Sequence, residues 1–193
     1  GGFGVNAALA QAVSFADLKR VDISAQELAG EQYDFIYSVN VLEHIPTLAH
    51  AIHGMARVLA PDGVMLHTCP NYLVPFEPHF GMPLVPVWPR VTALLRPSLR
   101  SSELWQSLNF VTVPGLKRIA AREQLTITFE RGLLYRAFAR LDTDPAFRER
   151  QANGLITVVY TLLKRTGTLA LLKRLPPAFA TPMVFGLERI SPA

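Results

Sequence analysis

The residues of this chain that could do chemistry gather in two short stretches. One is Ser38-Val39-Asn40-Val41-Leu42-Glu43-His44; the other runs from His67 through Asn71 and Tyr72 to Glu77 and His79. An imidazole changes charge near neutral pH, so it can take a proton and return it. It does so efficiently when held within hydrogen-bond reach of the reacting group. His44 and His79 are the candidate proton acceptors. His79 lies in Phe76-Glu77-Pro78-His79-Phe80. Proline fixes its own backbone and restricts the residue before it, so this imidazole is expected to have little freedom. His50 and His53 fall on a predicted helix and read as surface residues. His67 ends a predicted strand and could line a cleft.

The elements around these stretches form one pattern. Tyr33 to Val39 is a short run of aromatic and branched residues, which strands favour. Pro46 and Thr47 can open a helix. Leu48, Ile52, Met55 and Leu59 then give it one apolar face. Pro61-Asp62-Gly63 is expected to end that helix in a turn, and Val64-Met65-Leu66 to begin a second buried strand. Two apolar strands joined by a helical crossover predict a parallel sheet covered on both faces. Asp34–Val39 and Val64–Thr68 should therefore be adjacent, parallel and central. Ligands of such sheets bind beyond the carboxyl ends of the strands, where the two polar stretches lie.

Tyr33-Asp34-Phe35-Ile36-Tyr37-Ser38-Val39-Asn40-Val41-Leu42-Glu43-His44, then Arg57-Val58-Leu59-Ala60-Pro61-Asp62-Gly63, then Thr68-Cys69-Pro70-Asn71, resembles the class I S-adenosylmethionine-dependent methyltransferases. The resemblance covers about forty contiguous residues, with weaker parts in the C-terminal third. It implies a doubly wound, Rossmann-like α/β fold with a mostly parallel sheet and S-adenosylmethionine as cofactor. It implies that Ser38, Asn40, Val41 and Leu42 meet the cofactor, with Asp17 or Asp22 as the acid facing the adenine ring. Asn40, Leu42, Asp22 and Asn71 should edge one cleft, with Asn71, Tyr72 and Glu77 on the acceptor's side. His79 and His44 would be the catalytic bases. In many relatives the Leu-Glu-His triplet serves without a metal, its acid and imidazole capping the helix or ordering the loop, and none is expected here. The small-RNA 2′-O-methyltransferases and some ubiquinone-biosynthesis O-methyltransferases instead hold a divalent ion at this loop. By that likeness Glu43, His44 and His79 are the alternative ligand set, with Asn40 where those enzymes have a further glutamate.

The first half of that family's fold is the thinnest part of the match. Only 32 residues precede Tyr33. Gly1-Gly2-Phe3-Gly4 could be a glycine-rich loop before a helix from Val5 to Ala12, and Val13 to Ile23 could supply a strand. Residues 1–32 thus read as a remnant of the cofactor-binding half, and the chain is expected to bind the cofactor weakly. Residues 33–72 are the core unit. Residues 73–112 hold Pro75, Pro78, Pro83, Pro86 and Pro89, which prohibit a regular helix or central strand; this segment should cover the cleft. Val113-Pro114-Gly115 opens a helix from Leu116 to Glu123. Leu125 to Glu130 alternates as a strand with one wet face, and Met183 to Ile190 is the last strand. By the resemblance these two form an antiparallel pair at the sheet edge. Residues 133–182 are a helical insertion before it, broken near Asp142–Pro145 and Thr166-Gly167.

Composition bounds the function. Of 193 residues, 50% are apolar and 18% charged, which suits a single packed domain. The net charge of +4 comes without a lysine-arginine block, so no nucleic-acid partner is expected. One cysteine, Cys69, excludes an internal disulfide and a cysteine metal cluster. It suits a reducing, cytoplasmic setting. The apolar run from Leu155 to Leu163 is far short of the ~20 residues that span a bilayer. With Lys164-Arg165 and Lys173-Arg174 beside it, it could rest on a membrane surface or pack as an ordinary helical pair. The expected function is methyl transfer to oxygen of a small molecule, a sugar or a lipid-linked acceptor. The alternative is a non-catalytic module that binds a partner or a membrane surface.

Overall fold

The computed structural model describes residues 30–151 and 154–190. The glycine-rich start, the helix from Val5 to Ala12, the strand within Val13–Ile23, and Asp17 and Asp22 lie outside the described residues.

The βαβ unit is present. Strand β1 (Tyr33–Val39) leads through a 3-10 turn (Leu42–His44) to helix α1 (Leu48–Val58) and strand β2 (Leu59–Cys69). The two strands run parallel, with Phe35 opposite Val64 and Val39 opposite Thr68. Helix α1 buries Leu48, Ala51, Ile52 and Met55, the spacing of one helical face.

Two expectations change here. Pro61-Asp62-Gly63 does not separate helix from strand: β2 already begins at Leu59, and the register jumps from Tyr33↔Leu59 to Phe35↔Val64. Residues 60–63 are an excursion within the strand, where a Cβ on Gly63 would stand 3.0 Å from the Tyr33 carbonyl oxygen. And β1 is not central among the described residues: there the strand order is β1, β2, then Met183–Arg189 (β6), then Leu125–Phe129 (β5), which puts β1 at one end. Ile36 packs against the core, while Phe35 and Tyr37, stacked on each other, are exposed, Tyr37 by 70%. The apolar run suits burial on both faces, yet Phe35, Tyr37 and Val39, which alternate along β1, are exposed.

Strand β6 (Met183–Arg189) runs antiparallel to β2 on one side and to β5 (Leu125–Phe129) on the other, the edge pair expected from the resemblance. Before β5 comes the helix Val113–Arg122, which starts with its proline in the first turn. Thr112 caps it, its Oγ1 accepting from the Gly115 N–H at 3.2 Å.

The proline-rich segment forms only short pieces: β3 (Phe76–Glu77) paired with β4 (Met82–Pro83), and the helices α2 (Thr92–Leu95) and α3 (Glu103–Ser107), which makes Val113–Arg122 helix α4. Its Leu84, Leu99, Trp105, Leu108 and Phe110 join the same core as the sheet. Each such side chain contributes about 1.5–3 kcal/mol by leaving water, so these residues anchor a segment with little regular structure.

In the insertion, α5 (Leu133–Thr143), α6 (Pro145–Gln151) and α7 (Gly154–Arg165) precede two 3-10 turns, Thr168–Arg174 and Pro177–Phe179. The breaks fall at Asp144 and at Gly167, which has φ of 69°. The Asp142 carboxylate accepts from Lys164 Nζ at 2.7 Å and from the Tyr160 hydroxyl, and Phe138 stacks on Tyr160. Lys173 stands 4.5 Å over the Tyr135 ring. Among the described residues no helix is long and apolar enough to cross a membrane.

Candidate functional site

The site is built by the turn after β1. Asn40 takes φ of 52°, a left-handed conformation uncommon outside glycine and tolerated best by Asn and Asp. Its N–H donates to the Thr68 carbonyl at 2.8 Å, one last link to β2. The turn then drives Leu42 and Glu43 inward. From across the fold, Asn109 holds them there. Its backbone N–H donates to the Glu43 carbonyl at 2.9 Å, and its Nδ2 to the carbonyls of Leu42 and Ile45 at 2.6 and 2.9 Å.

Glu43 meets two histidines. His44 Nε2 and His79 Nε2 lie 3.9 and 3.8 Å from Glu43 Oε1, and 3.3 Å from each other. The glutamate side chain is 0% exposed, the imidazoles 15% and 23%. Each histidine is held from behind. His79 Nδ1 bonds Glu77 Oε1 at 2.6 Å. Glu77 is itself buried, accepting from the Tyr72 hydroxyl at 3.1 Å and from the Phe80 N–H at 2.7 Å. His44 Nδ1 bonds Ser107 Oγ at 2.8 Å, and that hydroxyl gives its own proton to the Leu104 carbonyl. Burial raises the Glu43 carboxyl above its ordinary range; its own backbone N–H and nearby His79 partly offset this. Burial, then the neighbouring His79, lowers His44. The Tyr72 phenol is pushed up by burial first and by Glu77 second.

The structure brings Glu43, His44 and His79 together and separates the other candidates. Asn40 and Val41 stay exposed at the end of β1. Leu42 does not edge a cleft: it is 1% exposed, inside the core. The Ser38 hydroxyl is engaged with His67 Nδ1 at 2.8 Å. Asn71, Tyr72 and Glu77, expected to meet the acceptor, are buried. Asn71 spends its amide on the carbonyls of Pro177, Ala178 and Ala180; Glu77 is taken by His79, Tyr72 and Phe80. Of the three, Tyr72 lines a cleft. Ser107 and Asn109 were not singled out in the sequence, where nothing marks them. Glu77 as the support of His79 was legible in principle, since the two flank one proline.

His67 does not line a cleft. It is fully buried beside Phe185, their ring centroids 5.4 Å apart. Burial lowers it to about 4, against about 6.5 in an unfolded chain. The unfolded state therefore takes the proton first as pH falls. The contribution is present in full above about pH 6.5 and is lost between there and pH 4. It is worth on the order of 2–3 kcal/mol. Urea unfolding at a series of pH values should show this loss in the parent, and a smaller one in His67→Gln.

Two clefts share Asn109, the residue that holds the Glu43 backbone. One, of about 590 Å³, is lined by Tyr72, Leu73, Trp88, Val91 and Phe110. The other, of about 460 Å³, lies between the start of α1 and α4, bordered by Pro46, His50 and Arg118. Neither is lined by Glu43, His44 or His79. Tyr72 joins the first to the cluster: it lines the cleft, and its hydroxyl bonds Glu77.

Comparison with known proteins gives the family of the chain. Two curated relatives, the uncharacterized proteins MT1557 and Rv1509 of Mycobacterium tuberculosis strains, are each 32% identical over 145 residues. The match covers 71% of this chain and 50% of theirs, so the chain spans about half the length of the curated relatives it matches. Among solved structures, it is similar to an O-methyltransferase from a trans-AT PKS multienzyme of Brevibacillus brevis, in complex with S-adenosyl-L-homocysteine. Identity is 16%, the TM-score 0.42, and the match covers 88% of this chain and 48% of that one. It is also similar to the cyclopropane synthase MmaA2 from Mycobacterium tuberculosis, at 18% identity and a TM-score of 0.40, covering 84% and 56%. The family described as "Methyltransferase domain" matches residues 1–128. That span runs through both polar strand ends and the histidine cluster, and the chain belongs to this family, the class I S-adenosylmethionine-dependent methyltransferases.

Proposed function

We propose that this chain takes part in S-adenosylmethionine-dependent methyl transfer to a hydroxyl oxygen of a small, partly apolar acceptor. One observation carries the choice of oxygen: a buried carboxylate and two imidazole nitrogens converge within 3.9 Å, directly after the turn that ends β1. A hydroxyl is a poor nucleophile until its proton is drawn off, and such a cluster can do that. Asn40 and Val41 fit the cofactor: a carboxamide and an apolar side chain, both exposed at the strand end, suit the hydroxyls of a ribose and the face of a purine. Bound there, the cofactor supplies an activated methyl group. The chain's own part is to orient the acceptor and to receive its proton. The cleft of Tyr72, Trp88 and Phe110 suits the acceptor's apolar body. A glycan or a lipid-linked acceptor with a free hydroxyl fits the same description.

A second reading, a non-catalytic module, is favoured by the open face of β1, where Phe35, Tyr37 and Val39 are exposed and could meet a partner. Transfer of a labelled methyl group separates the two. A preparation that binds the cofactor should label hydroxylated apolar compounds and leave their deoxy analogues unlabelled. Label on nitrogen or carbon would overturn the choice of oxygen. Failure to bind S-adenosylmethionine in this chain and in a chain of the relatives' full length would favour the module.

A further inference from the structure

The helical insertion differs from the rest of the chain in charge. Residues 133–182 carry eight basic and three acidic side chains, an excess larger than the net +4 of the whole chain. No acid stands between Glu149 and Glu188. Within this stretch, helix α7 turns its bonded side inward. Tyr160 and Lys164, one turn apart, both reach the Asp142 carboxylate, and the Tyr160 ring stacks on Phe138 of α5. The opposite side is apolar. Val158, Leu162 and Arg165 recur at the spacing of one helical face, and Val158 and Leu162 are 64% and 61% exposed. A surface helix ordinarily shows the reverse, with its apolar stripe against the core. The turn Thr168–Arg174 packs against α7 and α5 and repeats the arrangement. In a 3-10 turn residues three apart eclipse, so Arg174 stands beside Leu171, which is 65% exposed.

We infer that α7 and the turn Thr168–Arg174 rest on the surface of a bilayer that contains anionic lipid. Val158, Leu162 and Leu171 enter the acyl boundary, and Arg165 and Arg174 meet the headgroup phosphates. Each element supplies the two parts that such binding needs, an outward apolar strip and a cation beside it. An arginine bordering apolar surface lays its stem along that surface and keeps its charge in the polar layer. The 12 residues of α7 are about 18 Å long, too short to cross a hydrocarbon core of roughly 30 Å, so the helix lies along the surface. Charge complementarity selects this occupant. A second copy of the chain would set Arg165 and Arg174 against their like, with no acid between Glu149 and Glu188 to offset them. A nucleic acid would meet the arginines and leave the leucines and Val158 uncovered. The surface belongs to the insertion and does not depend on the methyl-transfer reading; it is measured without cofactor or acceptor.

The whole chain is mixed with vesicles of phosphatidylcholine alone, or of phosphatidylcholine and phosphatidylglycerol in equal parts, and bound protein is separated by flotation. The expected result is binding about tenfold or more tighter to the anionic vesicles, falling as salt is added. Replacing Arg165→Ala and Arg174→Ala together should weaken it by about twenty-five-fold, roughly fivefold for each charge. Leu162→Asp should weaken it by about tenfold or more, since an acid then faces both the acyl chains and the anionic headgroups. Leu94→Asp, at an equally exposed leucine of α2, should leave it unchanged. In Leu162→Trp the added indole should shift its emission to the blue on anionic vesicles, which marks entry into the acyl boundary. These side chains face solvent, so the variants should keep the parent's circular dichroism. Absence of binding, equal affinity for both kinds of vesicle, or equal weakening by Leu94→Asp would overturn the surface. So would a dimer in solution that Leu162→Asp dissociates, or tighter binding to duplex DNA than to anionic vesicles at the same salt.

Discussion

His79→Ala is expected to lower methyl-transfer turnover by about a hundred- to ten-thousandfold, the range for a positioned acid–base group. Affinity for S-adenosylmethionine should stay within about twofold of the parent's, because the reacting proton belongs to the acceptor. The reasoning starts from the backbone. Pro78 stiffens the approach to His79, and Glu77 on the other side of that proline is pinned by the Tyr72 hydroxyl and the Phe80 N–H. The imidazole is therefore aimed before any acceptor arrives, and its Nε2 meets His44 and Glu43 at 3.3 and 3.8 Å. Removing it breaks the cluster whether it acts as a proton acceptor or as a metal ligand. His79→Gln tells these apart. It keeps a polar side chain but cannot accept a proton near neutral pH. Activity that returns with added zinc assigns the residue to the ion; activity that stays lost assigns it to the proton. Turnover within a few-fold of the parent in His79→Ala would take the residue out of the mechanism.

Much of this site was legible in the sequence. Glu43 and His44 follow a strand that its apolar residues marked, and position at a strand end is what places ligand groups in open α/β sheets. Reaching His79 took a further step, since the proline-rich segment has no periodicity; its direction of departure, after β2, was the clue. What stayed hidden has a common cause. Asn71 sits where an acceptor could be met, but it is turned inward by partners that spacing along the chain does not show; Tyr72 and Glu77, five residues apart, turn inward onto each other. For Asn71 the partners are more than a hundred residues away. Ser107 backs His44 from 63 residues on, and a lone serine carries no local mark of that role. Leu42 and Val41 illustrate a finer limit. Neighbours in a loop can face opposite ways, and the left-handed turn at Asn40, which decides it, is a conformation the sequence permits without requiring. The open side of β1 was missed because Phe35, Tyr37 and Val39 read as apolar core, and composition cannot say whether anything covers them.

Asn71→Asp should be the most damaging single change proposed for stability, although it alters one atom. Asn71 is fully buried at the end of β2. Its Nδ2 points its two hydrogens at three carbonyl oxygens, those of Pro177, Ala178 and Ala180, at 3.3, 2.9 and 3.1 Å. Its Oδ1 accepts from the Leu73 N–H at 3.2 Å, and its own N–H donates to Thr181 Oγ1 at 3.1 Å. One side chain thus ties the start of the proline-rich segment to the end of the helical insertion, just before β6. In Asn71→Ala the three carbonyls and the Leu73 N–H lose this partner, at a cost of about 2–4 kcal/mol if water reaches only some of them. In Asn71→Asp the donors become an acceptor that faces three carbonyl oxygens. The carboxyl must then be buried as an uncompensated charge or held protonated, costing about 3–5 kcal/mol. The order of stabilities by urea unfolding should be parent, then Ala, then Asp. The gap between Ala and Asp should narrow in acid, where the aspartate gains a proton and with it one donor. If Asp proves as stable as the parent, the amide does not hold these carbonyls, and the insertion is anchored by its apolar contacts instead.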